Sequence, residues 1–427
     1  MSNIKKNTSF KINKTTMDNG LTVVVAEIHK APVVAVNITY KVGSKDENPN
    51  HTGLAHLFEH LMFEGTKTIK KGEFDKYCSQ AGGTNNAYTS YDQTTYYMTL
   101  PSNQLELALW LESDRLFYFN VSIEALEIQK KVVSEEISQT VEEQPYGKWR
   151  NYLAKNAYSS KSCYSWEVHG LKEHVIKTTQ NDIQSFHNKF YNPSNACLVV
   201  VGDIKRKDTT KIIEKYFSEI TISKKNKRVE LNSKNILNNN EITFEDNVPA
   251  AAVFQAFHCS GFLNNDVYKA EMICYLLGVG RSSRLYKELV NNKQIASQVG
   301  AFLDRRELDS LITVYAIASN ENIKTEDLNF EINNIIKKII DKGFSKIEIE
   351  KIRNKLSMQI ARELQQYSGI ADNIAHFTLF NNSPQQIFEL SNIYSKFSLE
   401  EINDYMKSVL NLNQSITINA IPKKANN

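Results

Sequence analysis

One pattern occurs twice in the chain and restricts its fold more than any other. DIQSFHNKFYNPSNACLVVVGDI (182–204) reads as a helix, an Asn/Pro loop and a buried strand, and EINDYMKSVLNLNQSITINAIPK (401–423) reads the same way. Between them the composition breaks at SKKNKRVELNSKNILNNN (223–240), a Lys/Asn-rich stretch poor in large apolar residues that reads as an exposed linker. This predicts a domain over 1–222, a linker over 223–240 and a related domain over 241–427, an internal duplication of roughly 200 residues per copy. Leu21–Glu27 and Val33–Tyr40 are β-branched runs joined by a short polar link and read as adjacent strands, and the Thr/Tyr-rich Ala87–Leu100 reads as one strand ended by Pro101. Helical spacing runs through 53–63, 103–117, 123–142 and 182–190, with a buried strand at 196–201. After the linker, 250–258 and 311–318 read as strands and 268–277, 284–291 and 328–342 as helices. Short links between several strands predict an α+β fold of two related domains, each a mainly antiparallel sheet packed with helices.

Composition excludes several classes of function. With 427 residues, 41% of them hydrophobic, the chain can build packed cores. Lys+Arg and Asp+Glu number 51 and 48, so a formal charge of +3 gives no global electrostatic reason to bind nucleic acid or an anionic membrane. The KKNKR run (224–228) reads as solvated linker. No run approaches the ~18 apolar residues of a membrane span. Met1–Lys14 is polar and basic without an apolar core, unlike a secretory signal, and it lacks the Arg and the amphipathic stripe of a mitochondrial presequence. Five Cys, an odd number with no C-x-x-C pair, argue against a disulfide framework or a Cys-type zinc site and suit a reducing compartment. The expected location is cytoplasmic, with the mitochondrial matrix as the alternative. Cys78, with no base placed to activate it, reads as a buried thiol, and Tyr96 and Tyr97 as core or cleft lining.

The motif that carries chemistry is His56-Leu57-Phe58-Glu59-His60. Residues four apart on a helix share a face, so His56 and His60 point the same way with Glu59 beside them. Two imidazoles at that spacing can bind one tetrahedral Zn²⁺, and a neighbouring carboxylate can take a proton from water activated there. A zinc hydrolase needs a third protein ligand. The other histidines (29, 51, 169, 174, 187, 258 and 376) show no partner pattern, and the helix 123–142 offers both Glu135 and Glu136.

HTGLAHLFEHLMFEGTKT (51–68) resembles the zinc-binding helix of the pitrilysin family of metallopeptidases, the inverzincins, with its H-x-x-E-H order. The resemblance implies that His56 and His60 bind zinc, that Glu59 is the general base, and that a second Glu about 75 residues past the motif completes the site. KKVVSEEIS (130–138) is similar to the family's segment there, and its register selects Glu136 over Glu135. GGTNNAYTSYDQTTYY (82–97) is similar to the family's active-site edge strand, which implies substrate-facing positions at Asn86 and Ala87 and binding by β-augmentation. RSSRLYKELV (281–290) resembles a second-half motif that helps bind substrate, with Arg284 at its Arg. Two positions depart from the pattern. Gln129 stands where the family often has a Glu seven residues before the third ligand, and could hydrogen-bond behind a ligand but carry no charge. Ser297, in QIASQVGA (294–301), stands at the Tyr position of an Arg/Tyr pair.

The resemblance covers essentially the whole chain and implies a zinc endopeptidase with one Zn²⁺ per chain, cleaving peptides or unfolded segments in an enclosed chamber. It also implies a homodimer, or a heterodimer with a related subunit that lacks the metal and supplies the missing pair. The competing expectations are a non-catalytic scaffold subunit of the same fold and the processing of mitochondrial presequences.

Overall fold

The structure, a computed structural model, describes residues 10–219, 235–236 and 238–423. In chain order the first half holds strands β1 (Ile12–Thr16), β2 (Thr22–Glu27) and β3 (Val33–Tyr40), helices α1 (Leu54–Leu61) and α2 (Glu73–Gln80), and strands β4 (Thr84–Thr89) and β5 (Thr94–Pro101). Helices α3 (Leu105–Phe117), α4 (Ile123–Ile137), α5 (Trp149–Ala157) and α6 (Gln180–Phe190) and strand β6 (Ala196–Gly202) follow. The second half holds β7 (Asn240–Asp246), β8 (Ala252–Ser260), α7 (Asp266–Gly278), β9 (Ala296–Asp304), β10 (Asp309–Ala318), α8 (Thr325–Lys342), α9 (Tyr367–Asn381), α10 (Leu399–Val409) and β11 (Ile416–Pro422).

Four local expectations need correction. β2 and β3 are not neighbours, because β6 lies between them, parallel to β2 and antiparallel to β3. All seven residues of β6 are buried, and a strand apolar on both faces gains most in the centre of a sheet. Ala87–Leu100 is not one strand: Ser90–Gln93 turn the chain between β4 and β5, with the Ser90 Oγ accepting from the amides of Asp92 (3.2 Å) and Gln93 (3.1 Å). The helix expected over 123–142 is α-helical only to Ile137 and then widens into a π-turn, Ser138–Glu142. The stretch 284–291 likewise forms a π-turn, Tyr286–Asn292. The expected linker lies outside the described residues except at its C-terminal end, where Asn235 donates to Asp309 (2.8 Å) and Asn240 opens β7.

The duplication is written in the sheets. The first has the order β1-β2-β6-β3-β5-β4 and the second β7-β11-β8-β10-β9. Setting aside β1, the strands of each half are laid down in the same permutation. The first and last of the five run parallel (β2 with β6, β7 with β11), and every other pairing is antiparallel. The helix-loop-strand segments that the sequence repeats are α6–β6 and α10–β11, and the two strands occupy equivalent places.

The chain packs into two compact units, each discontinuous in sequence. One comprises Met1–Glu135, Val168–Glu230 and Ile360–Ser391, the other Glu136–Glu167, Leu231–Gln359 and Asn392–Asn427. Each sheet is therefore completed by a helix from the opposite half of the sequence, taken from the same point in the strand order. Helix α9, from between β10 and β11, packs on β3, β5 and β6. Helix α5, from between β5 and β6, packs on β8 and β11. On α9, Ile370, Ala371, Ile374 and Ala375 are buried. Its first residue, Tyr367, accepts at its hydroxyl from the amides of Lys30 and Ala31 (3.2 Å each) and donates to the Ile28 carbonyl (3.0 Å). Among the described residues no helix is long and apolar enough to cross a membrane.

A chain ending at Glu219 lacks α9 and would leave that face of the first sheet open to water. It is expected to show no cooperative thermal transition and to bind a hydrophobic dye, and addition of the 360–391 segment should restore the transition. A two-state melt of the fragment alone would contradict this arrangement.

Candidate metal centre

Helix α1 is amphipathic by construction. Ala55, Leu57, Phe58 and Leu61 are wholly buried and Leu54 nearly so, while His56, Glu59 and His60 are half-buried on the other face. Phe58 sits among aromatic rings, with centroids 4.1 Å from Tyr191 and 4.8 Å from Phe119, so the helix cannot roll about its axis without breaking that packing. Its N-terminus is held just as firmly. Gly53 has φ +88°, and a Cβ there would come within 2.6 Å of the His169 carbonyl oxygen. The Glu47 carboxylate, nearly buried, accepts from the amides of Gly53 (3.0 Å) and Ala55 (2.7 Å). That meets two of the orphan N–H groups of the first turn and sets a negative charge at the positive end of the helix dipole.

The Nε2 atoms of His56 and His60 lie 3.3 Å apart. Two nitrogens held at about 2.0–2.1 Å from one tetrahedral zinc ion stand about 3.3–3.4 Å from each other. Glu136 joins them from the last turn of α4, a continuous helix whose earlier turns belong to the same unit as α1, and the ligand atoms of His56, His60 and Glu136 all fall within 4.8 Å of one another. Two imidazoles and a carboxylate are a donor set that suits Zn²⁺. Glu135 is exposed, whereas Glu136 is half-buried on the stripe it shares with Gln129. The Thr140 hydroxyl donates to the Glu136 carbonyl (2.7 Å) where the helix widens into its π-turn, a feature often met at functional sites.

Beside this cluster, Thr89 at the end of β4 donates its hydroxyl to Glu59 Oε2 (2.5 Å). Gln129 donates to Glu64 Oε1 (2.6 Å), a buried carboxylate that also pairs with Lys71 (2.8 Å). Asn86 and Ala87 lie on β4, at the edge of the sheet, where the Ala87 amide donates to Asn86 Oδ1 (2.9 Å). Tyr96 is wholly buried with the Arg115 guanidinium 4.4 Å from its ring centre, which makes it core. Tyr97 is half-buried. Burial pushes the Cys78 thiol up, against reactivity. Arg284 and Ser297 belong to the second unit. There the Arg284 guanidinium forks onto both oxygens of Glu348 (2.8 and 2.9 Å), and the Ser297 hydroxyl donates to the carbonyls of Ala318 (3.0 Å) and Ile317 (3.3 Å). Glu47 and Thr89 escape sequence reasoning. The only signal for Glu47 is a helix that begins on Gly53 with no Ser, Thr, Asp or Asn cap to accept from its first amides.

The entry to α1 also leans on histidine. His174 Nδ1 accepts from the Thr52 amide (3.1 Å), so that nitrogen carries no proton. Burial holds the His174 imidazole below its ordinary value; His51 and Lys177 act the same way and Glu173 opposes them. A lowered folded pKa means that the unfolded chain binds more protons. The stabilisation is thus complete above the unfolded value of about 6.5 and is lost as pH falls toward the folded one. Thermal melts between pH 7.5 and 5 are expected to show a steeper acid loss for the wild type than for His174→Gln, and parallel curves would contradict the assignment.

Residues 22–165 match the family described as Insulinase (Peptidase family M16), and residues 177–356 match the Peptidase M16 inactive domain. The chain is 28% identical to a zinc protease PqqE of Helicobacter pylori over 96% of this chain and 92% of that protein. It is 24% identical to a probable mitochondrial-processing peptidase subunit beta of Schizosaccharomyces pombe over 88% of this chain and 84% of that one. The crystal structure of a protease from Helicobacter pylori superposes with a TM-score of 0.91 at 27% identity, covering 97% of this chain and all of the other. With both halves matched, the relatives named zinc proteases and the solved fold reproduced end to end, the chain belongs to the M16, or pitrilysin, family of peptidases.

Proposed function

We propose that the chain is a zinc-dependent endopeptidase that cleaves peptides or unfolded segments, with one zinc ion held by His56, His60 and Glu136 and with Glu59 as the general base. The observation that carries this reading is the gathering of two imidazole nitrogens and one carboxylate within 4.8 Å, on two helices separated by half a domain of sequence. Bound there, zinc would supply a Lewis acid for the scissile carbonyl and draw the pKa of water toward neutrality. Glu59 accepts the proton from the attacking water and delivers it to the leaving amine. Both metal-binding imidazoles stay fixed because the opposite face of their helix is core. The substrate lies extended along the open edge of β4, where its carbonyl takes the place of Asn86 Oδ1 on the Ala87 amide. Gln129, tied to Glu64, steadies the helix that carries Glu136, and Arg284 contacts substrate on this reading.

The pairing of subunits belongs to the same proposal. One relative is named a subunit, and Ser297 stands where the family carries a Tyr. Both favour a dimer, with a second copy or with a related chain that lacks the metal.

Glu59→Gln is expected to keep one zinc per chain while cleavage of an unstructured peptide falls by about 10²–10⁴-fold. Retained cleavage would remove Glu59 from the mechanism. Chelation should abolish cleavage and added zinc restore it, and His56→Ala should lose the metal. A zinc-loaded wild type that cleaves no peptide would favour the scaffold reading.

A further inference from the structure

Successive residues of β4 face opposite sides of the sheet, and two of them connect the candidate base to a helix from the far end of the chain. Thr89 faces α1 and donates to Glu59 Oε2 (2.5 Å). Tyr88 faces α9 and donates to Asp372 Oδ1 (2.7 Å), while its hydroxyl accepts from Gln93 Nε2 (2.8 Å). The other end of the Gln93 amide, Oε1, accepts from Nδ1 of His376, one turn further along α9 (3.1 Å). Between these anchors the turn is closed by Ser90, whose amide donates to the Gln93 carbonyl (2.9 Å), and by a fully buried ion pair, Lys45 Nζ to Asp92 Oδ1 (2.6 Å). Ser90, Asp92 and Gln93 are thus all hydrogen-bonded, and α9 holds Gln93 in the turn and Tyr88 just before it.

We propose that Thr89 is a positioning residue for the Glu59 carboxylate, and that α9 holds Thr89 in place through Asp372–Tyr88 and His376–Gln93. This deepens the peptidase reading and rests on it for its kinetic part. A hydroxyl donating to an ionised carboxylate makes a strong, directional bond. Fixed at Oε2, the carboxyl group cannot spin about its terminal torsion, which is soft in a free Glu, and proton transfer is assigned to Oε1. A base displaced by about 1 Å loses up to ~10²-fold in rate, so a single hydroxyl can matter without touching substrate. The helix that completes the first sheet also fixes the atom next to the chemistry, so the C-terminal half of the sequence takes part in the site without contributing a metal ligand.

Thr89→Val keeps the shape and removes the hydroxyl; Thr89→Ser keeps the hydroxyl. Thr89→Val is expected to lower kcat about tenfold or more with KM within about twofold and zinc content unchanged, and Thr89→Ser to recover most of that loss. Tyr88→Phe is expected to lose about threefold in kcat through the weakened anchor. A Thr89→Val enzyme with wild-type kcat, or a Thr89→Ser enzyme as impaired as Thr89→Val, overturns the proposal. Crystal structures of wild type and Thr89→Val give a readout independent of cleavage. Glu59 is expected in one rotamer in the wild type and in several in the variant, and an unmoved Glu59 overturns the proposal. If the zinc-loaded wild type cleaves nothing, the peptidase reading fails while the position of Glu59 still decides the role of Thr89.

Discussion

Everything at the candidate centre depends on the burial of one face of α1. Leu57, Phe58 and Leu61 have no exposed surface, and Phe58 alone packs against three rings from two other segments, Phe119 and the Phe186–Tyr191 end of α6, so the rotation of the helix is set by packing worth several kcal/mol. With that rotation fixed, the 3.6-residue period delivers His56 and His60 to one spot. Glu47 closes the first turn and Gly53 lets the chain enter it at φ +88°. Two nitrogens in register are a consequence of hydrophobic packing before they are a consequence of any metal.

The fold builds this rigidity by exchange. Both sheets use the same strand permutation, and each borrows a helix from the other half of the sequence. A duplicated domain kept separate would close its own core. Here neither half can, because α9 covers β3, β5 and β6 and α5 covers β8 and β11. Each compact unit is thus built from both halves of the sequence, and burial of α9 places its polar residues against β4 and the turn that leads away from it. The bonds from Asp372 and His376 are cheap additions to a helix already docked by Ile370, Ile374 and Ala375.

Local chemistry was legible in the sequence and long-range pairing was not. The triplet His56, Glu59, His60 declares itself because a helix repeats over four residues, and the α6–β6 and α10–β11 segments betray the duplication because each is short and contiguous. Glu136 could be separated from Glu135 only through the family register; in the structure the difference is one of exposure, which the Glu-rich stretch conceals. The insertion of β6 between β2 and β3 was hidden because a fully apolar strand announces burial and not its neighbours. The same holds for α9, whose apolar residues say that it is covered and are silent about which sheet does the covering. The break at Ser90–Gln93 was masked by Thr and Tyr on either side, which favour strand whether or not the chain turns between them. Glu47 and Thr89 act across loops and strands, where no sequence period operates.

In the zinc-loaded protein three side chains from two helices are expected to close on a single cation. Anomalous diffraction at the zinc edge from crystals of the zinc-loaded protein measures it directly. One strong peak per chain is expected within bonding distance of the Nε2 atoms of His56 and His60 and of a Glu136 carboxylate oxygen. A peak elsewhere, or one on the two imidazoles with the Glu136 side chain turned away from it, would rule out zinc ligation by these three residues.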